Sequence, residues 1–463
     1  MTSSVAATIH PLVARYTIQS SAPAAVSVEF GPTTAYGRST SEVQVSAGAP
    51  SDILVAGMRP ATTYHMRAVA RTSSGTFRDT DHVFTTGAPP PGTIPVTTVT
   101  TTGTPAGGVE LLDLTFPSGQ YLASVLDLDG SLLWYYAYDQ SLGYPYAFRP
   151  MPNGNLAIMI GTALLREVDL TGTTVHELTL DDLNTRLAAY SFGLHVTALH
   201  HDVLPMPNGH MLVIAEEQRP VLLSGDTTPT TLRGDDVIDL DSSFNPVWTW
   251  SAFDHLDVNR RPMDPIDWTH ANALIYSPAD HNLLLSMRHQ HWVLKLDYQD
   301  GRGSGAVLWR LGPDGDFRLD SSDPQQWFYG QHFVVFADNT QLQSPFSLAL
   351  FDNRATNSAG TACETDNGVC YSRPVIVRLD ESAMTASIQW QDRLNLYSLW
   401  GGSIETLPNG DVEYTLSNPF SGPGSRVAEV NRQTNQAIWQ MDIQDALAYR
   451  AFRIPSLYPG VHW

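Results

Sequence analysis

The sequence predicts an all-β protein: a small β-sandwich followed by a six-bladed β-propeller. Three observations carry that reading. Gly (34) and Pro (31) are spread evenly between short Thr- and Val-rich runs, the pattern of many strands joined by turns. Period-2 alternation fills residues 8–87. From residue 109 onward a two-part unit recurs. No long amphipathic pattern interrupts this, apart from a helical turn or two expected near Asp181–Ala189.

The sandwich comes first. Ala24-Ala-Val-Ser-Val-Glu-Phe30, Glu42-Val-Gln-Val-Ser46 and Thr63-Tyr-His-Met-Arg-Ala-Val-Ala70 alternate like half-buried strands. Pro-rich Gly87-Ala-Pro-Pro-Pro-Gly92 closes the series. The expected division is a sandwich over residues 1–90, a linker over 91–108 and a propeller over 109–463. Met58-Arg-Pro-Ala-Thr-Thr-Tyr64 resembles the turn before a late strand in fibronectin type III domains. The resemblance implies a fibronectin III-like, immunoglobulin-like sandwich in which the Tyr64 hydroxyl ties the corner.

The propeller rests on the repeat. One part is a turn, seen at Met151-Pro-Asn-Gly-Asn155, Met206-Pro-Asn-Gly-His210 and Leu407-Pro-Asn-Gly-Asp411. Asn-Gly supplies the positive φ of a tight hairpin, so each marks two adjacent antiparallel strands. The other part is a strand ending in Asp, a polar turn and a strand carrying an aromatic residue. It appears as Val125-Leu-Asp-Leu-Asp-Gly-Ser-Leu-Leu-Trp134 and as Glu167-Val-Asp-Leu-Thr-Gly172, the latter without its Trp. It recurs at Val237-Ile-Asp-Leu240 with Trp248, and at Val293-Leu-Lys-Leu-Asp297 with Trp309. Ile376-Val-Arg-Leu-Asp380 with Trp390 and Ala428-Glu-Val-Asn431 with Trp439 make six copies. Their irregular spacing fits blades with loop insertions on one face.

Composition removes several function classes. There are 26 basic and 47 acidic side chains, a net charge of −21, and Lys295 is the sole lysine. A chain this acidic, without a basic cluster, is not built for a nucleic-acid backbone or an anionic membrane. No apolar run approaches the roughly 18 residues of a membrane span. Met1-Thr-Ser-Ser-Val-Ala-Ala has no signal-peptide pattern, so either a cytoplasmic protein or a mature exported form is expected. Cys363 and Cys370 can form one bridge but no Cys-rich zinc site.

Propeller sites form where inner strands converge, so polar residues on apolar strands are the candidates. Ala198-Leu-His-His-Asp-Val203 precedes an Asn-Gly turn, and only one of the consecutive His200 and His201 can face inward. In Asp267-Trp-Thr-His-Ala-Asn-Ala-Leu274, His270 and Asn272 are two apart and share a face. Leu284-Leu-Ser-Met-Arg-His289 supplies Arg288 and His289, and Tyr329-Gly-Gln-His-Phe-Val-Val335 places His332 at a strand start beside Gln331. Phe351-Asp-Asn353 reads as a strand end rather than part of the site. Imidazoles, a guanidinium and a carboxamide converging in a cleft would hold a tetrahedral oxyanion. An imidazole nitrogen can also attack sulfur or phosphorus and split a group transfer into two half-reactions.

From roughly 110 to 460 the chain resembles the bacterial arylsulfate sulfotransferase family, which moves a sulfo group between phenols without a nucleotide donor. His200-His-Asp202 before its turn, Asp267-Trp-Thr-His-Ala-Asn-Ala273, Ser286-Met-Arg288 and Trp309-Arg-Leu-Gly312 carry the resemblance in order. Gln331-His332, Phe351-Asp-Asn353, Gly402-Ser403 and Tyr449-Arg-Ala-Phe-Arg453 continue it. The resemblance implies a six-bladed propeller behind a small β-domain, no cofactor, and aryl sulfate and phenol as partners. It makes His332 the nucleophile that becomes a sulfohistidine. Arg288, His270, Asn272 and one of His200/His201 would hold the sulfuryl oxygens and assist the leaving phenol. His201 is preferred for its neighbour Asp202. Trp268, Trp327, Phe328, Tyr329 and Trp400 lie near these motifs as candidates to stack on an aryl ring. Met287 and Phe333 depart from the family pattern and put pocket shape in question. The resemblance further implies a Cys363–Cys370 disulfide near the site and a periplasmic or secreted setting. Oligomeric state stays open, a homodimer among the options.

Rival readings remain at this point. Four histidines (His201, His270, His289 and His332) would suffice in number for one metal ion, although Arg288 beside them would repel it. A propeller enzyme of the same family with altered chemistry, a non-catalytic binding propeller and a simple sulfate-ester hydrolase are the others.

Overall fold

A computed structural model of the chain describes residues 1–320, 327–338, 340, 342–366, 368–418 and 424–463. Strands dominate it. The longer of the two α-helices among the described residues, Leu180–Ala189, starts where Thr179 accepts the Asp182 amide, in the segment expected to turn helically.

Two antiparallel sheets form the N-terminal sandwich. Thr2–Ala7, Ala14–Gln19 and Pro50–Val55 make one, and the other is centred on Ala24–Gly31 paired with Thr63–Thr72. Alternate residues point inward, so Tyr16 and Ile18 meet Val26, Val28, Phe30 and Met66 in one core. The Tyr64 hydroxyl accepts the Arg59 amide at 2.9 Å, tying the corner.

Six further sheets, each of four or five strands, occupy residues 97–454 among the described residues. Their first strands are Pro145–Pro150, Val196–Pro205, Ala271–Ser277, His332–Phe336, Ser403–Thr406 and Leu447–Ile454. Each touches the next. Leu447–Ile454 pairs antiparallel with Val109–Thr115, which touches Pro145–Pro150 and closes the ring. A propeller-like ring is thus fastened by its own two ends. Part of the expected linker belongs to it: Thr97–Thr101 pairs with Gln436–Ile443 as an outer strand. Its threonines and valine have the β-branched character of an edge strand, but the partner lies at the far end of the chain.

The six sequence copies fall on the outer hairpin of each sheet, and their tryptophans have a common use. Trp134, Trp248, Trp309, Trp390 and Trp439 each donate the indole N–H to the corresponding turn of the next sheet, at Leu170, Gly303, Glu381, Asn435 and Leu128. The last of these bridges end to start. Where the copy lacks Trp, His176 meets Phe244 edge-on at 5.7 Å instead. The Asn-Gly turns differ from expectation in one detail. Only Gly154, Gly209 and Gly410 take positive φ, between +84° and +88°. Each turn therefore carries one left-handed residue, as in a three-residue loop.

The sandwich packs on the ring. His10 stacks on Trp134 and bonds the Tyr135 carbonyl at 2.8 Å. From the C-terminal end, the Tyr458 hydroxyl bridges Ala56 and Leu54, and Trp463 meets Phe30 edge-on.

Candidate active site

The inner strands break register where the site forms. Shifts occur between Leu199 and Val203, between Ala271 and Ala273, and between His332 and Val334. His201, His270 and Phe333 take positive φ (+60°, +51° and +57°), a strained backbone for non-glycine residues. Bulges of this kind re-aim side chains at a sheet end. Here they turn His201, His270 and His332 into one cavity of about 560 Å³, together with Arg288.

His332 is 1 % exposed. Its Nδ1 lies 2.7 Å from the Asn353 Oδ1. Asn353 spends its own amide protons on the Ser398 and Gly401 carbonyls, both at 3.0 Å, so its oxygen is the acceptor. His332 therefore carries its proton on Nδ1 and keeps a lone pair on Nε2. Burial and then the Arg288 charge hold its pKa well below the ordinary imidazole value, despite the Asn353 bond.

Arg288 is buried. One terminal nitrogen donates to His289 Nε2 and the Ser358 carbonyl, both at 2.9 Å. Its Nε and Nη2 have no partner among the described residues. Two buried charged donors left open at a cavity wall are costly unless an anion completes them. His270 is oriented by Asp267, whose Oδ2 lies 2.6 Å from Nδ1.

His201 lines the cavity and His200 stands behind it, their Nδ1 atoms 2.7 Å apart. Asp202 does not partner His201. It takes Arg149 and the Leu274 amide instead. The carboxylate in this group is Asp235, 3.0 Å from His200 Nε2. Burial, followed by the neighbouring His270 and His200, holds the His201 pKa well below its usual value.

Other expected residues sit elsewhere. Asn272 is fully buried, its amide donating to the Gln331 carbonyl, so it braces the His332 strand from behind. Gln331 is spent on the Met287 and Trp292 carbonyls. His289 stacks on His270 at 4.3 Å, with one nitrogen on the Asp267 carbonyl and the other on Arg288. Burial pushes its pKa down to about 3. Trp268 and Phe328 are core residues, Trp327 packs on that core, and Tyr329 meets His291. Of the five aromatic candidates only Trp400 lines the cavity.

The ring wall is built from residues sequence reasoning missed: Tyr121, Tyr144, Tyr146 and Tyr449, the last stacked on Trp400. Asn353, expected only at a strand end, bonds the His332 imidazole. Its signal lay in the Phe351-Asp-Asn353 motif, and that of Asp267 in the His270 motif itself. Met287 and Phe333 do not line the cavity. Met287 is core, and Phe333 packs on Phe452. Cys363 and Cys370 are bridged, in the loop region that also supplies Ser358 and Ala359 to the wall.

Asp267, His270 and His289 form the one cluster with metal-ligand spacing among the described residues. It is a poor fit for a cation, because both His289 nitrogens are taken and the Arg288 guanidinium adjoins it. The four-histidine set fails for the same reason.

No curated protein matches the chain. Solved structures it is similar to include BamB from Moraxella catarrhalis (12% identity, 74% of this chain and 91% of that one, TM-score 0.29). Others are a putative 6-phosphogluconolactonase from Bacteroides uniformis (10%, 93% and 99%, 0.26) and a putative glucose dehydrogenase from Thermus thermophilus (12%, 65% and 97%, 0.28). At these scores the likenesses carry no argument. The sequence model of the arylsulfotransferase (ASST) family, by contrast, matches residues 106–452, which take in the cavity and the ring apart from its outer strand Thr97–Thr101 and its last two residues, and the chain belongs to that family.

Proposed function

We propose that the protein moves a sulfo group from an aryl sulfate to a phenol through a sulfohistidine on His332. Family membership implies aryl sulfate sulfotransferase activity. The observation that carries the finer reading is the His332–Asn353 bond, which leaves Nε2 unprotonated at the cavity. Nε2 attacks sulfur while the S–O bond to the aryl group breaks. The open Nε and Nη2 of Arg288 take sulfuryl oxygens as charge builds on them. His201 protonates the departing phenolate and later takes the acceptor's proton. Tyr121, Tyr146, Trp400 and Tyr449 supply ring faces for the aryl group. The Cys363–Cys370 bridge supports a periplasmic or secreted setting, where disulfides persist.

Mass spectrometry after incubation with 4-nitrophenyl sulfate and no acceptor tests this. One added sulfo group on His332 is expected, and none in His332→Asn. Turnover without labelling refutes the covalent route.

A further inference from the structure

Asp235 and His200 are buried beside the cavity, and the reaction as described uses neither. They form a line. The Asp235 Oδ1 is 3.0 Å from His200 Nε2, His200 Nδ1 is 2.7 Å from His201 Nδ1, and His201 lines the cavity. A carboxylate accepts only, so His200 Nε2 donates to it. Of two nitrogens 2.7 Å apart, one must donate and one accept.

We propose that His200 and Asp235 are positioning residues that act through His201, passing it the proton it gives to the leaving phenolate. This rests on the sulfotransfer reading and deepens it. Asp235 belongs to Thr230–Leu240, the third strand of its sheet, and reaches across to the next. Its Oδ2 accepts the Ala271 amide at 2.6 Å and the Thr269 hydroxyl. Those donors are neutral, so the cation that answers Asp235 is an imidazolium at His200. The direction of the His200 pKa agrees: burial pulls it down, but the Asp235 bond and charge, with Asp267 and Glu216, outweigh burial and the net shift is upward. Asp267 and Glu216, both negative, also act on His200. His201 faces His270, Arg450 and His332, with the Tyr146 and Tyr449 rings beside it, and stays neutral.

The step balances. His200 starts with protons on both nitrogens, and His201 with one on Nε2. As His332 Nε2 bonds to sulfur, the S–O electron pair goes to the phenolate oxygen, which takes the His201 Nε2 proton. The His200 Nδ1 proton crosses to His201 Nδ1. His200 is left neutral, still donating to Asp235, and the phenol departs neutral. In the second half-reaction the acceptor phenol's proton returns along the same line.

Leaving-group dependence separates a relay from a brace. 4-Nitrophenyl sulfate needs little protonation, whereas phenyl sulfate releases a phenolate about as basic as tyrosinate, near 10. In His200→Gln, which keeps a donor toward His201 but cannot pass a proton, turnover of phenyl sulfate should fall about 100-fold. Turnover of 4-nitrophenyl sulfate should fall only about threefold. Asp235→Asn should show the same split, weaker. Equal loss on both donors, or loss on neither, overturns the relay. Labelling of His332 by 4-nitrophenyl sulfate checks that each variant retains its site. Should His200→Gln not fold, wild-type rates on phenyl sulfate in H2O/D2O mixtures decide: curvature from two moving protons is expected, and a straight line overturns the relay. If wild type labels no histidine from 4-nitrophenyl sulfate, the sulfotransfer reading falls and takes the relay with it.

Discussion

The Asn353 side chain holds the His332 Nδ1 at 2.7 Å while both its own protons are committed to the carbonyls of Ser398 and Gly401. The carboxamide therefore cannot flip, and the imidazole has one tautomer. Asn353→Leu removes that constraint and leaves the ring free to present Nδ1 or a protonated Nε2. We expect kcat to fall about 100-fold with KM changed little, because binding groups on Arg288 remain. Steady-state kinetics with 4-nitrophenyl sulfate and phenol checks it. A purely raised KM would mean that Asn353 shapes the pocket instead.

Arg288 divides its donors between the protein and the cavity. Nη1 is fixed by His289 and Ser358, which leaves Nε and Nη2 without a partner among the described residues on a side chain that lines the cavity. A lysine ammonium cannot make both sets of contacts. Arg288→Met should lower kcat/KM by about 10²–10³-fold, and Arg288→Lys should recover at most a tenth of that activity. Full recovery by lysine would show that charge alone matters at this position.

The disulfide lies in the loop region that supplies Ser358 and Ala359 to the cavity wall. Cys363 and Cys370 close a loop of sequence separation 7. Ala355 bridges to Cys363, and Ser358 between them and the active site accepts from Arg288. Chain-entropy arithmetic for so short a loop gives about 2.5 kcal/mol. Cys363→Ser with Cys370→Ser should lower Tm by several degrees and raise KM for the aryl sulfate a few-fold, read by thermal denaturation and kinetics. An unchanged KM would separate the loop from the wall.

The fold was legible where signals are local. The Asp-turn-Trp copies mark outer hairpins because each indole needs a fixed place one strand beyond its turn. The strand Thr97–Thr101 escaped because its partner Gln436–Ile443 is remote in sequence. In the site, motif histidines were found, but strand alternation failed to say what faces inward. The bulges at His201, Ala271 and His332 reset that alternation. Hence Trp268 and Asn272, each two residues from His270 in sequence, are buried behind it, whereas Tyr449 arrives from another sheet and Tyr144 from the loop before Pro145–Pro150. Asp235 carries no motif of its own. Its role depends on a sheet-to-sheet contact with Thr269 and Ala271.

Away from the cavity, the ring closes over buried charge, and this gives stability a pH dependence. Arg453 on Leu447–Ile454 bonds Glu110 on the neighbouring Val109–Thr115 and Glu429 at 3.1 Å, and its amide donates to Glu405 at 2.6 Å. Burial, with Glu110 nearby, raises the Glu405 pKa from 4.5 to about 7. A carboxyl that is harder to ionise folded than unfolded stabilises the fold while it stays protonated. That contribution is fully present below about 4.5 and is lost as pH rises through about 7. Glu405→Gln stays neutral and keeps an oxygen for the Arg453 amide. Its Tm should exceed that of wild type at pH 8.5 and converge with it near pH 5. Denaturation scans at the two pH values measure this. A stabilisation equal at both would assign the effect to packing rather than to charge.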